Sequence, residues 1–225
     1  MSQNIRNYNG KQYLLKPVKT RIIKVGDDMA EIIKEYAGTE LQAGDIVSIS
    51  ESPLAITQGR AKPLSEIHPG FWARLLWRFV SKVPYGIGLR APSSMQCAIE
   101  EAGVFRIVLA AVIGGLARMV GRRGKGDFYR VAGMQAALID AAETSPIPPY
   151  ESCVIKGPKN PEGESQRIAD ATGVGIAVMD INDIGGCWAI GSSKGIDKKM
   201  LESVMITNPQ GQGAELTPLC IIRKQ

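Results

Sequence analysis

Asp180, Asn182 and Asp183 follow a short apolar run, Val174, Ile176, Ala177, Val178 and Met179, bounded by glycine. Such a run reads as a buried strand, so its acids are delivered where the chain leaves the sheet. Oxygen donors gathered at a strand end suit a cation or a polar ligand in α/β proteins. Glycines at 185, 186, 191 and 195 come next, and they let backbone approach a phosphate-bearing partner without steric cost. The same residues suit a plain turn equally well, with Asp180 and Asp183 as caps and the glycines shaping a hairpin. Both readings stand on this segment alone.

Several chemistries are excluded. The single histidine, His68, removes any mechanism that needs two imidazoles, and there is no Gly-x-Ser-x-Gly elbow or His-Glu-x-x-His helix. No Gly-x-x-x-x-Gly-Lys-Ser/Thr loop is present, so phosphates would fall to Arg60, Lys194 and backbone amides between residues 185 and 195. Cys97, Cys153, Cys187 and Cys220 form no Cys-x-x-Cys pair and lie in apolar surroundings, as expected of reduced core residues. The first residues contain no apolar signal segment, which makes a cytoplasmic location the expectation. A net charge of +5 suits an anionic ligand, but the one obvious basic run, Arg122-Arg123-Gly124-Lys125, reads as a solvated loop. With no zinc-finger, helix-turn-helix or RNA-binding pattern, no nucleic-acid partner is expected.

The elements that would position these residues can be read in order. A chain of 225 residues with 44% apolar content can build a proper core. Residues 13–25 read as a strand or strand pair at a sheet edge. Asp27 or Asp28 caps a helix with Met29, Ile32, Ile33 and Tyr36 on one face. Ile46 to Ser50 is a strand, and Ser52, Gln58 and Arg60 after it are candidate ligand contacts, although a turn and surface helix explain them as well. Phe71, Leu75, Leu76 and Phe79 mark an amphipathic helix, and Ser93 or Ser94 caps another. Residues 104–120 continue apolar, yet the stretch between Arg106 and Arg118 is far shorter than the ~20 residues a membrane span needs. A buried or interface helix follows, with Gly114-Gly115 allowing a kink or close packing. Phe128 to Val131 reads as extended, 145–149 as a Pro-rich connector, and Cys153 to Ile155 as a strand. Glu164 to Ala171 reads as a crossover helix, which makes a β-α-β unit with the run before Asp180. Asp197 caps a helix, 208–215 is a polar loop, and Leu219 to Ile222 is a closing strand.

Several of these pieces resemble the coenzyme F420-0:gamma-glutamyl ligase family. Gly26-Asp27-Asp28-Met29 and Ala43-Gly44-Asp45-Ile46-Val47 resemble its Gly-Asp-Asp-Leu and Asp-Gly-Asp-hydrophobic elements, with Gly59-Arg60 following. Met179-Asp180 resembles its Thr-Asp strand end, and Gln212 to Pro218 its Gln-Ala-Asp-Glu-Gly-Thr-Pro loop. Ile139-Asp140 falls where the family has Ala-Gly-Val-Asp. Two segments depart from it: Ile184 to Trp188 replaces Gly-Arg-Pro-Trp-Arg, and Val131 to Gln135 replaces Cys-Ala-Asn-Ala-Gly.

The resemblance implies a ligase that joins L-glutamate in gamma linkage to a deazaflavin cofactor through an acyl phosphate, with GTP as substrate, Mg2+ or Mn2+ as metal and K+ as a further ion. It implies Asp140, Asp180 and Arg60 as catalytic residues, with Asp140, Asp180 and Glu215 as metal ligands. Ser52, Gly59, Gly185, Gly186, Lys194 and Gln212 would contact the nucleotide or cofactor. The partners are then small molecules: acceptor, glutamate and nucleotide. The fold class expected is α/β, mixed α+β, with mixed sheets, two interlocked subdomains and a helical middle. Its parts would be an N-terminal α/β part (1–65), a mostly helical segment (66–126) and a C-terminal α/β part with the acids (127–225), together one ligase-family unit. The apolar 104–120 helix, which needs cover, makes a homodimer the expectation.

Overall fold

The structure, a computed structural model, describes residues 4–80, 88–121, 126–142, 149–182, 185–211 and 214–225. It forms two compact units of mixed α+β structure, one from Met1–Gly59 with Pro158–Gln225 and the other from Arg60–Gly157.

The first unit is built on a six-stranded mixed sheet. Numbered along the chain, its spatial order is β1 (Asn4–Tyr8), β2 (Lys11–Val18), β8 (Leu219–Lys224), β3 (Ile46–Ser50), β6 (Gly175–Ile181) and β7 (Cys187–Ser192). Asn9 and Gly10, both at positive φ, close the β1–β2 hairpin as a tight turn requires. The β3–β6 pair is parallel and the other neighbours are antiparallel. Burial on both faces explains the near-continuous apolar reading of β6. Ala177 and Met179 join Met200, Leu201, Val204 and Met205 of α9 (Lys198–Met205) in one core. The helix α8 (Pro161–Thr172) packs against β6 and β7 and also against α1 (Met29–Ala37). Asp28 caps α1 through Ala30 N at 2.7 Å, and Asp197 caps α9, as the sequence predicts.

Among the described residues the second unit pairs β4 (Ala61–Pro63) with β5 (Cys153–Ile155) and packs five α-helices. These are α3 (Phe71–Leu76), α4 (Pro92–Ala102), α5 (Val104–Met119), α6 (Asp127–Ala132) and α7 (Met134–Ala137). Met95, Ala98, Ile107, Ala110, Ala132 and Val154 belong to its shared core. Gly114 allows the close approach of α6, since a Cβ there would lie 3.2 Å from Phe128 Cβ. The opposite face of α5 is open: Phe105 is 90% and Met119 84% exposed, with Leu109, Val112 and Leu116 between them. No helix among the described residues is long and apolar enough to cross a membrane. All four cysteines are free and buried, and burial pushes the Cys97 thiol up to about 11.

Several sequence readings are corrected. Residues 128–131 are helical, because Phe128, Tyr129 and Val131 gain core contacts on one side of a helix, and this tertiary packing overrides their strand propensity. No β-α-β unit joins β5 to β6: β5 pairs with β4 in the two-stranded sheet, and the parallel partner of β6 is β3. Pro92 starts α4 after Ala91, while Ser94 lies inside the helix and donates to Gly88 O at 2.6 Å. Of residues 13–25 only 13–18 are strand, in β2 beside the edge strand β1, and residues 19–25 form none. The amphipathic segment at 71–79 buries Ala73 and Leu76 but exposes Phe71 and Phe79.

One ion pair ties the sheet to the turn before β3. Asp45, 2% exposed, accepts from Arg223 Nε at 2.8 Å and Nη2 at 2.7 Å, and from Gln42 N at 2.8 Å. Burial alone would raise the Asp45 carboxyl, but these donors outweigh it and hold it below its ordinary value. Asp45→Asn is expected to cost about 2 kcal/mol, read as a lower urea midpoint with unchanged slope. Because the folded value is lowered, this stability is present above the unfolded pKa of about 3.9 and is lost as pH falls through the folded value. Wild type and variant should therefore converge in stability at acid pH.

Candidate functional site

In the first unit, Asp180 does not end the strand. It is half-buried within β6 opposite Trp188, and Ile181 opposite Cys187 extends the ladder before the turn. The turn is closed by Asn182: its amide donates to Gly186 O at 2.9 Å and its side-chain oxygen accepts from Gly186 N at 2.8 Å. Gly185 sits there at φ +94. Gly185 and Gly186 thus lie in the connection between β6 and β7. Gly191 has a different cause, since a Cβ there would lie 2.5 Å from the backbone carbon of Pro161 at the start of α8. Lys194 is exposed, and its amide donates to Gln166 Oε1 at 2.9 Å.

The loop after α9 is anchored by Gln210, a buried residue absent from the sequence-derived set. Its Oε1 accepts from Ser48 Oγ at 2.8 Å, while its Nε2 donates to Ser50 Oγ at 3.0 Å and Pro218 O at 2.8 Å. Every polar atom of the amide is thereby used at the end of β3. The same loop carries exposed Glu215, whose carboxylate lies over Gly211, where a Cβ would meet it at 2.5 Å. Ser52 stands in the first turn of α2 (Glu51–Thr57), and Gly59 follows that helix at φ +68. Gln58 is used structurally, since its side-chain amide pairs with the backbone of Lys159 at 2.7 and 3.2 Å.

In the second unit, Arg60 is 4% exposed. Its Nη2 lies 2.9 Å from Glu101 Oε2 and 3.0 Å from Gln135 Oε1, and its Nε donates to Gly157 O. The other oxygen of Glu101 takes Lys156 Nζ at 2.9 Å. Burial alone would raise the Glu101 carboxyl, but the bonds from Arg60 and Lys156 hold it below its ordinary value. Asp140 is exposed and pairs through its backbone with Ile155, next to Lys156. Arg60 and Asp140 thus meet consecutive residues, Lys156 and Ile155, through their backbones. The sequence signal for Glu101 was present: Glu100 and Glu101 are the only acids between residues 67 and 126.

Of the expected metal ligands, Asp180 and Glu215 belong to the first unit and Asp140 to the second. Among the described residues no three His, Cys, Asp or Glu side chains form a group that could hold a metal ion. Asp183, Gln212, the basic run at 122–125 and residues 145–148 of the connector lie outside the described residues.

A family model described as F420-0:gamma-glutamyl ligase matches residues 17–210. The chain belongs to that family. This ligase family is the one its sequence motifs resemble, and the match covers Arg60, Asp140 and Asp180. An uncharacterized protein of Methanocaldococcus jannaschii is 32% identical over 74 residues, which are 28% of this chain and 25% of the relative. The alignment therefore spans a quarter of that relative's length.

The packing role of Gly191 can be separated from a ligand role. Gly191→Ala drives a Cβ into Pro161 backbone, which cannot yield as a flexible side chain would, and an overpacking cost of about 2 kcal/mol is expected. Thermal unfolding should show a lowered midpoint. Unchanged stability with weakened nucleotide binding would instead return this glycine to the ligand reading.

Proposed function

We propose that the chain is a GTP- and divalent-metal-dependent amide ligase that adds L-glutamate in gamma linkage to a deazaflavin cofactor. The carrying observation is the family match over residues 17–210, which spans most of both units. A carboxylate is a poor electrophile. Attack of the acceptor carboxylate oxygen on the γ-phosphorus of GTP would release GDP and leave an acyl phosphate. The glutamate amine would then attack the acyl carbon, release inorganic phosphate and give up its proton. Little covalent work falls to the protein in such a reaction, so positioning and charge neutralisation dominate.

Asp140, Asp180 and Glu215 are hard oxygen donors of the type Mg2+ and Mn2+ take, and they are the residues that would hold the cation. When bound, it would neutralise charge on the transferring phosphoryl group. Arg60 would act on the same charge from the protein side. Ser52, Gly59, Gly185, Gly186, Lys194 and Gln212 remain the proposed nucleotide and cofactor contacts. A second reading, a related ligase with a folate-like or amino-acid acceptor, draws on the departures at 131–135 and 184–188. There Gln135 is engaged by Arg60 and Gly186 by Asn182.

Incubation with GTP, manganese and glutamate tests the reading. Phosphate release that depends on a deazaflavin acceptor is expected. Release with another acceptor would favour the second reading, and GTP binding without turnover would make the chain a non-catalytic member. Asp140→Asn and Asp180→Asn should each weaken manganese binding sharply by calorimetry with the fold intact. Unchanged affinity in both would remove this metal site.

The quaternary proposal is a homodimer covered along α5. Phe105, Leu109, Val112, Leu116 and Met119 alternate in steps of four and three, the spacing by which one helix seats against another. A second copy offers the same stripe, as a two-fold interface requires. Light scattering on dilution should show a dimer, and Leu116→Glu should yield monomer or loss of fold. A stable wild-type monomer at low micromolar concentration would overturn it.

A further inference from the structure

The second unit carries the chain's excess of positive charge: counting every residue from 60 to 157, thirteen Lys and Arg stand against seven Asp and Glu. Within it, the stretch from Ile67 to Ile99 contains no Asp or Glu, while Arg74, Arg78, Lys82 and Arg90 all belong to it. Two of the chain's three tryptophans, Trp72 and Trp77, lie there too. Cations and rings come together on one short segment, α3 and the single-turn 3-10 helix Trp77–Phe79 that continues it. Ala73 and Leu76 fasten the segment to the core, and α3 packs against α4 and α5. Its outward residues are Phe71, Trp72 and Phe79, exposed by 71%, 44% and 57%, interleaved with exposed Arg74 and Arg78. The rings of Phe71 and Trp72 meet edge to face at 5.3 Å, and the Arg78 guanidinium lies 5.9 Å from the Trp77 ring. A single exposed apolar residue needs no explanation, but rings grouped with cations of one sign form a patch with a chemistry of its own.

We propose that this segment is a docking surface for an anionic lipid bilayer, with Phe71, Trp72 and Phe79 seated at the headgroup level and Arg74 and Arg78 on the lipid phosphates. Charge decides the occupant. A second copy meeting the same patch two-fold would set Arg74 and Arg78 against the same cations, with no acid in the stretch to answer them. The covering surface must therefore be anionic and must accept rings. Tryptophan favours the boundary between membrane and water, and arginines beside it gain from anionic headgroups. From Ile67 to Met95 there is also no Asn or Gln, so the patch has no side-chain amide or carboxylate with which to read a protein partner. Such docking engages one leaflet only and needs no spanning helix, and no described helix is long and apolar enough to be one. The inference uses neither the ligase reading nor the α5 stripe.

Flotation of the full chain with phosphatidylcholine vesicles, prepared with and without phosphatidylglycerol, tests the proposal. Binding is expected to the anionic vesicles and not to the neutral ones, and it should weaken as salt is raised. Arg74→Gln and Arg78→Gln should each lower the partition coefficient about fivefold. Phe71→Ser should lower it about tenfold, since a ring is no longer removed from water on docking. All three positions are exposed, so thermal midpoints should not move, and lost binding is distinguishable from lost fold. Brominated acyl chains should quench the tryptophan fluorescence of the bound protein, and Trp72→Phe should remove most of that quenching. No binding to either vesicle, equal binding to both, an absence of quenching, or binding unchanged when both arginines are replaced would each overturn the proposal. Arginine-dependent binding of polyglutamate without vesicle binding would also overturn it, and would assign the patch to an acidic protein instead.

Discussion

The parallel pairing of β3 with β6 is the constraint on which the first unit depends. It sets Ile46 opposite Gly175 and Ser50 opposite Met179, residues separated by most of the chain. Such a pair forms only after the intervening chain has been closed into a loop, and the entropy of closure grows slowly with length. A long insertion is therefore tolerated if its ends are held together. Its two ends meet in the β4–β5 ladder, where Ala61 faces Ile155 and Lys156 N donates to Arg60 O. The register at the start of β6 is tight: a Cβ on Gly175 would stand 3.2 Å from Ile46 Cγ1 and Ile196 Cδ1. Gly175 N also donates to the carbonyl of Asp45, the residue whose carboxylate holds Arg223 of β8. Three sheet strands thus converge on the turn at Gly44-Asp45, which explains why an acid there is buried.

Much of this was legible in the sequence where local chemistry and tertiary packing agree. Asp28 and Asp197 cap the helices they precede, and Ile46 to Ser50 is the strand its composition suggests. The readings failed where packing had to choose between alternatives of similar local merit. Phe128 to Val131 has strand composition but faces a helical core. The run before Asp180 is a strand, yet its partner β3 lies more than a hundred residues away, and no periodicity encodes a partner. The glycines after Asp180 were visible, but their surroundings differ by position: Gly185 and Gly186 lie in the β6–β7 connection, and Gly191 admits Pro161. Composition alone cannot separate these causes.

The candidate site shows the same division. Motif resemblance marked Arg60 and Asp140, whose segments match the family pattern. It missed Glu101, Gln135 and Lys156, whose importance lies in what they touch. Glu101 stands in the last turn of α4, and only the helix geometry carries it to Arg60. An acid pair inside an otherwise acid-free stretch was the available signal, since long-range charge balance in a buried place leaves a trace in composition even when no motif does.

The ionic trio also bears on why an insertion of this size keeps a polar neck. A hydrophobic replacement of buried ion pairs is often neutral or stabilising, so stability by itself does not account for Arg60, Glu101 and Lys156. A simple neutral pair would satisfy register at the neck, as Lys62 with Glu100 does on a more exposed side. Glu101 takes one cation on each oxygen, so it ties Arg60 before β4 to Lys156 after β5 and fixes which strand ends meet.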